Sequence, residues 1–375
     1  MYDYSNAQTT ERKIRASDRQ QGDVFGESVS LSGDYAIVGA RREDPGGTGD
    51  AGAAYIYKRN ATTGVWGDEQ KIRASDRQEN DFFGWSVSLS GDYAIVGAYG
   101  KVYPAYTGAA YIYKRNTSTG VWGDEQKITV DDRQTQDRFG WSVSLSGDYA
   151  IVGAHGKDPG GTADAGSAYV FKRSGTTWSQ IAKLVASDKA SSTSAEFGWS
   201  VAIDGGYVIV GAWLEDTGAT DVGAAYIYPF DQAENYYITQ PGTYHADLQI
   251  CGIDYKTNEV EVTGDIVPEK SWANELKIRA SDRQANDSFG YSVSLSGDYA
   301  IVGAYGKNTN TGAAYIYKRN GTTWGDEQKI VASDRQAIDR FGNSVSLSGG
   351  YVIIGARQED TGGTDAGAAY IYNAE

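Results

Sequence analysis

The sequence predicts an all-β fold, a six-bladed β-propeller built from four-stranded blades. One strand-rich phrase is repeated six times, and the chain begins with the strand that its last repeat lacks. The phrase runs KIRASDRQ, FG, SVSLSGDYAIVGA and GAAYIYKR, and its copies begin at Lys13, Lys71, Lys127, Lys183, Lys277 and Lys329. Repeats of about 50 residues that contain short strands indicate a propeller or a solenoid, because one such repeat cannot bury its own apolar face.

Each copy is interpreted as four strands, A to D. Strand A is SVSLS, as at residues 28–32, where Val29 and Leu31 lie on one side and small serines on the other. The Ser-Gly-Asp that follows is a tight turn in which glycine supplies the backbone freedom. Strand B is YAIVGA, apolar on both faces and therefore expected between neighbouring sheets. Strand C is GAAYIYKR, and strand D is WGDEQKIRA, whose mixed polarity suits a partly exposed outer strand.

The two ends of the chain complement each other. The sixth repeat stops after strand C at residues 370–372, whereas residues 10–16 have the pattern of a strand D with no blade before them. In an open solenoid the two ends of the chain would not meet, so this match would have no structural role. In a ring the two ends lie side by side. The sequence therefore predicts that an N-terminal strand completes the last blade and closes the propeller, which removes the exposed sheet edges.

One segment interrupts the repeats. Residues 229–270 lie between strands C and D of the fourth blade and match no part of the phrase, so the propeller comprises residues 1–228 and 271–375. The segment alternates polar and apolar residues and has turn signals at Pro241-Gly242, which predicts a β hairpin or a three-stranded flap. Its Cys251, the single cysteine of the chain, is expected to be a small apolar core residue, with a reactive thiol as the alternative.

Composition excludes several classes of protein. The chain has 34 basic and 49 acidic residues, a net charge of −15. Such a surface repels phosphate backbones and anionic lipids, so binding to nucleic acid or to a membrane surface is disfavoured. No run of about 18 apolar residues occurs, which predicts no membrane-spanning helix.

The recurring residues resemble a known family. Phe25-Gly26, Gly39-Ala40 and Gly52 with the following AAYIY are similar to the FG-GAP repeat, the blade unit of integrin α-subunit propellers and of many bacterial surface proteins. The resemblance extends over all six repeats and implies a non-catalytic extracellular or cell-surface propeller for recognition or adhesion. Two features differ: the Pro of GAP is absent from every copy, and the short Ser-Gly-Asp turn leaves no room for the integrin-type calcium loop.

The candidate ligand-binding positions are those at which the six copies differ. In a propeller, the D–A and B–C loops share one face, and the residues that follow each FG and each GA lie near its centre. After FG the residues are Glu27, Trp85, Trp141, Trp199, Tyr291 and Asn343, and after GA they are Arg41, Tyr99, His155, Trp213, Tyr305 and Arg357. Flat aromatic rings beside charged groups favour a glycan or protein ligand. The alternative is that the rings only fill the central channel.

The same face carries paired aspartates in its D–A loops. The pairs are Asp18 and Asp23, Asp76 and Asp81, Asp132 and Asp137, Asp282 and Asp287, and Asp334 and Asp339. Calcium takes about six to eight oxygen ligands, and carboxylates in such loops can supply them. The alternative is that these aspartates hydrogen-bond nearby backbone N–H groups. Calcium is therefore a candidate cofactor, and the sequence indicates no other.

The sequence was read for catalytic groups and for N-glycosylation sequons, and only the sequons are present. We find no nucleophile with an orienting base, so the sequence predicts that the protein is not an enzyme. Four N-x-S/T sequons are candidate N-glycosylation sites, at Asn60, Asn116, Asn286 and Asn320.

Two functions remain open. The first is recognition of a glycan or protein through the variable face. The second is a structural subunit of a self-assembling extracellular filament or coat, in which the 229–270 insertion contacts a neighbouring copy. Particle mass measured before and after deletion of residues 230–269 distinguishes the two.

Overall fold

A computed structural model describes most of the repeats and parts of the insertion. The described residues are 13–44, 47–159, 164–188, 194–230, 242–244, 247–250, 253–256, 260–262, 275–348, 350–360 and 367–373. Within them the chain is almost entirely β, with one short helical turn, Lys307–Asn310. The predicted six-bladed propeller of antiparallel blades is confirmed.

The first three blades are four-stranded sheets in which strands consecutive in sequence are neighbours. Blade 1 contains β1 (Phe25–Ser32), β2 (Tyr35–Ala40), β3 (Ala53–Arg59) and β4 (Trp66–Ile72). Blade 2 contains β5 (Ser86–Ser90), β6 (Tyr93–Ala98), β7 (Ala109–Arg115) and β8 (Trp122–Ile128). Blade 3 contains β9 (Ser142–Ser146), β10 (Tyr149–Ala154), β11 (Ser167–Ser174) and β12 (Thr177–Leu184).

Blade 4 is divided by the insertion. Its first strands are β13 (Ser200–Asp204), β14 (Tyr207–Ala212) and β15 (Ala224–Pro229). The insertion contributes β16 (Gly242–Tyr244), β17 (Asp247–Ile250), β18 (Ile253–Lys256) and β19 (Val260–Val262). In it, β16 pairs with β19 and β17 with β18, both antiparallel, and Cys251 lies outside the described residues. The strand β20 (Leu276–Ile278) then completes blade 4 beside β15.

Blades 5 and 6 end the chain. Blade 5 contains β21 (Phe289–Ser296), β22 (Tyr299–Ala304), β23 (Ala313–Asn320) and β24 (Thr323–Ile330). Blade 6 contains β25 (Phe341–Ser348), β26 (Tyr351–Ala356) and β27 (Ala368–Asn373), and these form a three-stranded sheet within the described residues.

The glycines of the repeat allow the backbones of adjacent blades to touch. A Cβ on Gly39 would lie 1.9 Å from the carbonyl oxygen of Gly84 in the next blade. Gly84 has a φ of +93°, and a Cβ there would lie 2.3 Å from the carbonyl oxygen of Ala53. A β-bridge joins Gly52 to Phe83, the residue before Gly84. From the second repeat onward, each FG is therefore held against the preceding blade by contacts that no side chain could accommodate.

Serine side chains join the innermost strands. The backbone N–H of Val87 donates to Ser28 Oγ at 2.9 Å, and that of Leu89 donates to Ser30 Oγ at 3.0 Å. The pattern continues from blade 2 to blade 3, where Leu145 N–H donates to Ser88 Oγ at 3.0 Å. These hydroxyls satisfy N–H groups on the free edge of the inner strand, which would otherwise lack partners. This is why strand A alternates serine with apolar residues.

The core lies between blades rather than within them. Val87 and Leu89 of β5 pack with Ile37 and Ala54 of blade 1 in one buried cluster. The same arrangement recurs at the other junctions between consecutive blades. Each blade therefore depends on its neighbour for burial of its apolar face, as the repeat pattern predicts.

The outer faces of blades 1 and 6 are the exception. Val29 and Leu31 of β1 are 64% and 69% exposed, whereas the equivalent Val87 and Leu89 are 6% and 5% exposed. On blade 6, Ile371 of β27 is 71% exposed. These faces carry the same residue types that meet at the other junctions, so they are complementary.

The segment before blade 1 packs against blade 1. Ile14 and Ala16 pack against the cluster that contains Val38 and Tyr55 of blade 1. Ile72 and Ala74, at the end of the preceding strand D, pack against blade 2 in the same way. Residues 13–16 form no ladder with β27, and residues 1–12 lie outside the described residues. Ring closure by the N-terminal strand therefore stays a prediction.

We expect removal of residues 1–17 to abolish cooperative unfolding or to cause aggregation, because it uncovers blade 1 and leaves β27 as a bare edge. Circular dichroism melting and size-exclusion chromatography measure both effects, and removal of residues 1–5 is the control. A soluble protein without residues 1–17 that melts within a few degrees of the parent would contradict the closed ring.

We also expect Gly84→Ala to lower the free energy of unfolding by at least about 3 kcal/mol, because strain at positive φ adds to the clash with Ala53. Gly91→Ala is the matched control: Gly91 also has positive φ, +56°, but no atom lies within 4 Å of its added Cβ. It should cost about 1 to 2 kcal/mol. Chemical denaturation measures both, and equal losses would show that close backbone approach is not the constraint.

Candidate functional site

The tryptophans that follow FG contact one another across the blades. The ring centroids of Trp85 and Trp141 lie 4.5 Å apart, and those of Trp141 and Trp199 lie 4.8 Å apart. The positive φ of each FG glycine, +93° at Gly84, places the next residue at the start of the inner strand. The predicted positions therefore converge on one region of the D–A and B–C face.

Aromatic residues that follow GA extend this contact. Tyr99 lies 4.7 Å from Trp85, and Trp213 lies 5.3 Å from Trp199, between ring centroids. Tyr291 is 5.5 Å from Trp199 and 4.5 Å from Tyr305. All these rings are half-buried. We call this continuous set the aromatic belt; it consists of Trp85, Tyr99, Trp141, Trp199, Trp213, Tyr291 and Tyr305.

Arginines lie at the edges of the aromatic belt. The guanidinium of Arg41 lies 4.7 Å from the centre of the Trp85 ring and forms an ion pair with Glu27. The remaining predicted positions belong to blade 6. Asn343 is half-buried, its N–H donating to the carbonyl oxygen of Arg340 at 3.1 Å, and Arg357 is exposed.

His155 is buried within the aromatic belt. Its side chain is 1% exposed and its ring lies 4.5 Å from Trp141 and 5.0 Å from Trp199. Burial, reinforced by the charge of Arg138, lowers the pKa of His155 to about 3. Arg138 Nη1 lies 3.4 Å from His155 Nε2, and Glu196 lies 3.6 Å from Nδ1. A neutral imidazole therefore fills the belt instead of facing a ligand.

The residue before each FG forms a third variable set that we did not predict. Its members all have positive φ, between +53° and +57°, and the six copies hold five different residue types: Val24, Phe82, Arg138, Glu196, Ser288 and Arg340. Glu196 accepts a hydrogen bond from Trp213 Nε1 at 2.7 Å, and burial raises the pKa of Glu196. Comparison of the copies at this position would have revealed the set, because a strained backbone is kept there while the side chain changes.

Blade 2 contributes a second group that the sequence reasoning missed. Its B–C loop carries Tyr103, which is 54% exposed, and Tyr106, whose ring lies 5.4 Å from Tyr103 and 6.4 Å from Tyr99. Phe82 stacks on the other side of Tyr99 at 5.3 Å. The aromatic surface therefore extends outward from the belt along this one loop.

In blade 2, a lysine bridges the paired aspartates. The ammonium of Lys101 lies 2.7 Å from Asp81 Oδ2 and 3.3 Å from Asp76 Oδ1. Asp81 also accepts the N–H of Gln78 at 2.7 Å, which is the backbone role given above as the alternative to calcium. Although burial opposes it, hydrogen bonds from Lys127 and Tyr111 lower the pKa of Asp76 to about 2. Lys307 bridges the pair of blade 5 in the same way. In blade 3, Lys157 forms an ion pair with Asp137 and donates to the backbone carbonyl oxygen of Asp132.

Blades 1, 4 and 6 place a glutamate where the others have lysine: Glu43, Glu215 and Glu359. In blade 1, Lys71 forms ion pairs with both Asp18 and Glu43. In blade 4, Lys277 forms ion pairs with Asp188 and Glu215. Within the described ranges, no three acidic, histidine or cysteine side chains are grouped to hold a metal. Calcium binding stays a prediction, which calorimetric titration with Ca²⁺ would check.

The sequon asparagines are exposed. Asn60 Oδ1 accepts the N–H groups of Thr62 and Thr63, both at 2.9 Å, and Asn116 makes the equivalent turn. Asn320 lies at the equivalent hairpin end in blade 5, and Asn286 lies in a D–A loop. The side-chain amide nitrogens are thus not used by these turns, and glycosylation stays a prediction.

Comparison with known proteins identifies the repeat. A family model of the FG-GAP repeat matches residues 9–57, 66–113, 122–171, 178–228, 272–317 and 324–372. The chain belongs to the FG-GAP repeat family. No curated protein matches the sequence.

The FG-GAP chain was also compared with solved structures. Hydrazine synthase of Kuenenia stuttgartiensis is similar at 11% identity and a TM-score of 0.47, over 92% of this chain and 82% of that one. Sqt1 of Saccharomyces cerevisiae is similar at 8% identity and a TM-score of 0.43, over 93% of this chain and 83% of that one. In the described part of the FG-GAP chain, there is no helix with the length and apolarity needed to cross a membrane.

We expect His155 to make the protein acid-sensitive. Because its folded pKa of about 3 lies below the unfolded value of about 6.5, stability is complete above pH 6.5 and falls as the pH drops towards 3. Between about pH 7 and about pH 5, the melting temperature of the parent should fall more than that of His155→Gln. An equal fall in melting temperature for the two proteins over this pH range would contradict a buried neutral imidazole.

Proposed function

We propose that this FG-GAP propeller is a non-catalytic extracellular or cell-surface recognition module that binds a glycan or protein through the aromatic belt. The observation that carries the proposal is the belt itself, a continuous and half-buried set of rings at one face. It is supported by the family, because FG-GAP repeats usually occur in extracellular or surface proteins.

The differences between copies support recognition over channel filling. The inner strands repeat SVSLS with few changes, yet the positions on either side of FG differ from copy to copy. Side chains that only fill the central channel need a suitable volume, and the same residue in every blade could supply it. Selection for a ligand accounts for an asymmetric set on a symmetric scaffold.

The chemistry of the belt suits sugars and protein side chains. Tryptophan and tyrosine offer large rigid faces at low entropic cost, and half-buried rings retain surface for a partner. The two glutamates beside the belt are already bound, Glu27 to Arg41 and Glu196 to Trp213. These pairings favour binding over acid–base catalysis.

We expect Trp85→Ala to weaken ligand binding at least about tenfold, because it removes a ring at the accessible edge of the belt and the support for Arg41. A glycan array and a panel of cell-surface proteins supply candidate ligands, and tryptophan fluorescence titration measures affinity. The matched control is Trp324→Ala, which removes a tryptophan that packs against Tyr207 away from this face. The proposal fails if no glycan and no protein binds, or if both variants lose affinity equally.

A further inference from the structure

The face that bears the aromatic belt has an arginine cluster on a chain of net charge −15. Four arginines border the belt: Arg41, Arg138, Arg340 and Arg357. Arg340 lies 5.5 Å from the centre of the Tyr305 ring. The positive charges of Arg340 and Arg357 both oppose the rise that burial causes in the pKa of Tyr291. The two arginines of blade 6 therefore lie beside the part of the belt that blade 5 contributes.

Two of these four positive charges are uncompensated by the described residues. Arg41 is paired with Glu27, but neither Arg340 nor Arg357 forms an ion pair with any described residue. The Nε of Arg340 is buried and has no hydrogen-bond partner within the described ranges, but the same is true of Arg115, Arg173 and Arg319. What sets Arg340 apart is that its guanidinium lies over the Tyr305 ring without a described carboxylate paired to it. This uncompensated charge points to an anion that arrives with a ligand.

By contrast, three arginines that lie over tyrosine rings elsewhere on the propeller are compensated. Arg115, Arg173 and Arg319 lie over tyrosine rings on the opposite face, and each forms an ion pair with an aspartate: Asp92, Asp148 and Asp298. In these three copies, an aspartate neutralises the arginine that lies over the aromatic ring. The absence of such an acid beside Arg340, among the described residues, distinguishes the belt face from this structural arrangement.

Resting on the recognition function proposed above, we propose that the ligand is an anionic glycan that carries uronic acid carboxylates. The planar guanidinium fork matches a carboxylate through two parallel hydrogen bonds, and Arg340 and Arg357 are available to make them. The sugar rings then stack on Trp85, Tyr291 and Tyr305. Because the rest of the chain is acidic, attraction of the anion is confined to this cluster.

The experiment compares oligogalacturonate with its methyl ester on the unmodified protein, using calorimetry. The two have the same sugar rings and differ only in methylation of the carboxylates, which removes their charge. We expect the acid to bind at least about tenfold more tightly than the ester, because the ester cannot form charge-assisted hydrogen bonds. Dextran sulfate and poly-glutamate are titrated in the same way, because both are anionic polymers without uronic acid. Binding of either polymer without binding of oligogalacturonate would overturn the assignment of a uronic acid carboxylate.

Arginine variants locate the contact. Arg340→Gln should weaken oligogalacturonate binding about tenfold and leave ester binding unchanged. The matched control, Arg319→Gln, removes an arginine that also lies over a tyrosine ring but on the other face. Equal binding of acid and ester that still depends on Trp85 overturns the charge assignment and leaves the recognition function intact. Absence of binding to every polymer and to every array ligand overturns both.

Discussion

The structure depends on direct backbone contact between adjacent blades. Gly39, Gly52 and Gly84 meet across one junction at distances that leave no room for a Cβ, and the same glycines recur at the following junctions. The buried Phe83 holds this contact in place by packing edge-on against Tyr111 at 5.5 Å. Because successive blades are locked by the same geometry, the apolar faces and the serine-to-backbone hydrogen bonds fall into register without further specification.

In this rigid scaffold, some positions are fixed by contacts between blades, and others can vary in sequence from copy to copy. The glycine of FG sets the direction of the chain, and the residues on either side of FG then face the same end of the propeller. The residue before FG keeps a positive φ in every copy although its side chain varies from Val24 to Arg340. Loops held by a rigid scaffold are where binding residues concentrate, and this strained position is one that every blade supplies.

Charged side chains in the loops are compensated by nearby charges of opposite sign. Where the B–C loop carries a lysine, as at Lys101, the D–A loop keeps both aspartates. Blade 1 carries Glu43 instead and keeps both aspartates, and Lys71 pairs with Asp18 and Glu43. In blade 4, which carries Glu215, the second aspartate is replaced by Ala195, and Lys277 pairs with the acids that remain. These aspartates are thus part of the network that fixes each loop, because a buried carboxylate without a partner would be costly. Arg340 and Arg357, beside the aromatic belt, form no ion pair with a described residue, and this sets the face apart.

The repeat by itself determined the strands, the blade number and the face on which the variable residues lie, since period and alternation assign each side chain to one side of its sheet. It did not determine which residues touch between blades. That His155 is a buried neutral filler, that Lys101 occupies the space between two aspartates, and that Tyr103 extends the aromatic surface were decided by the tertiary structure. The physical reason is that a local pattern fixes the direction of a side chain within its own blade, whereas these contacts depend on the rotation from one blade to the next and on the path of individual loops.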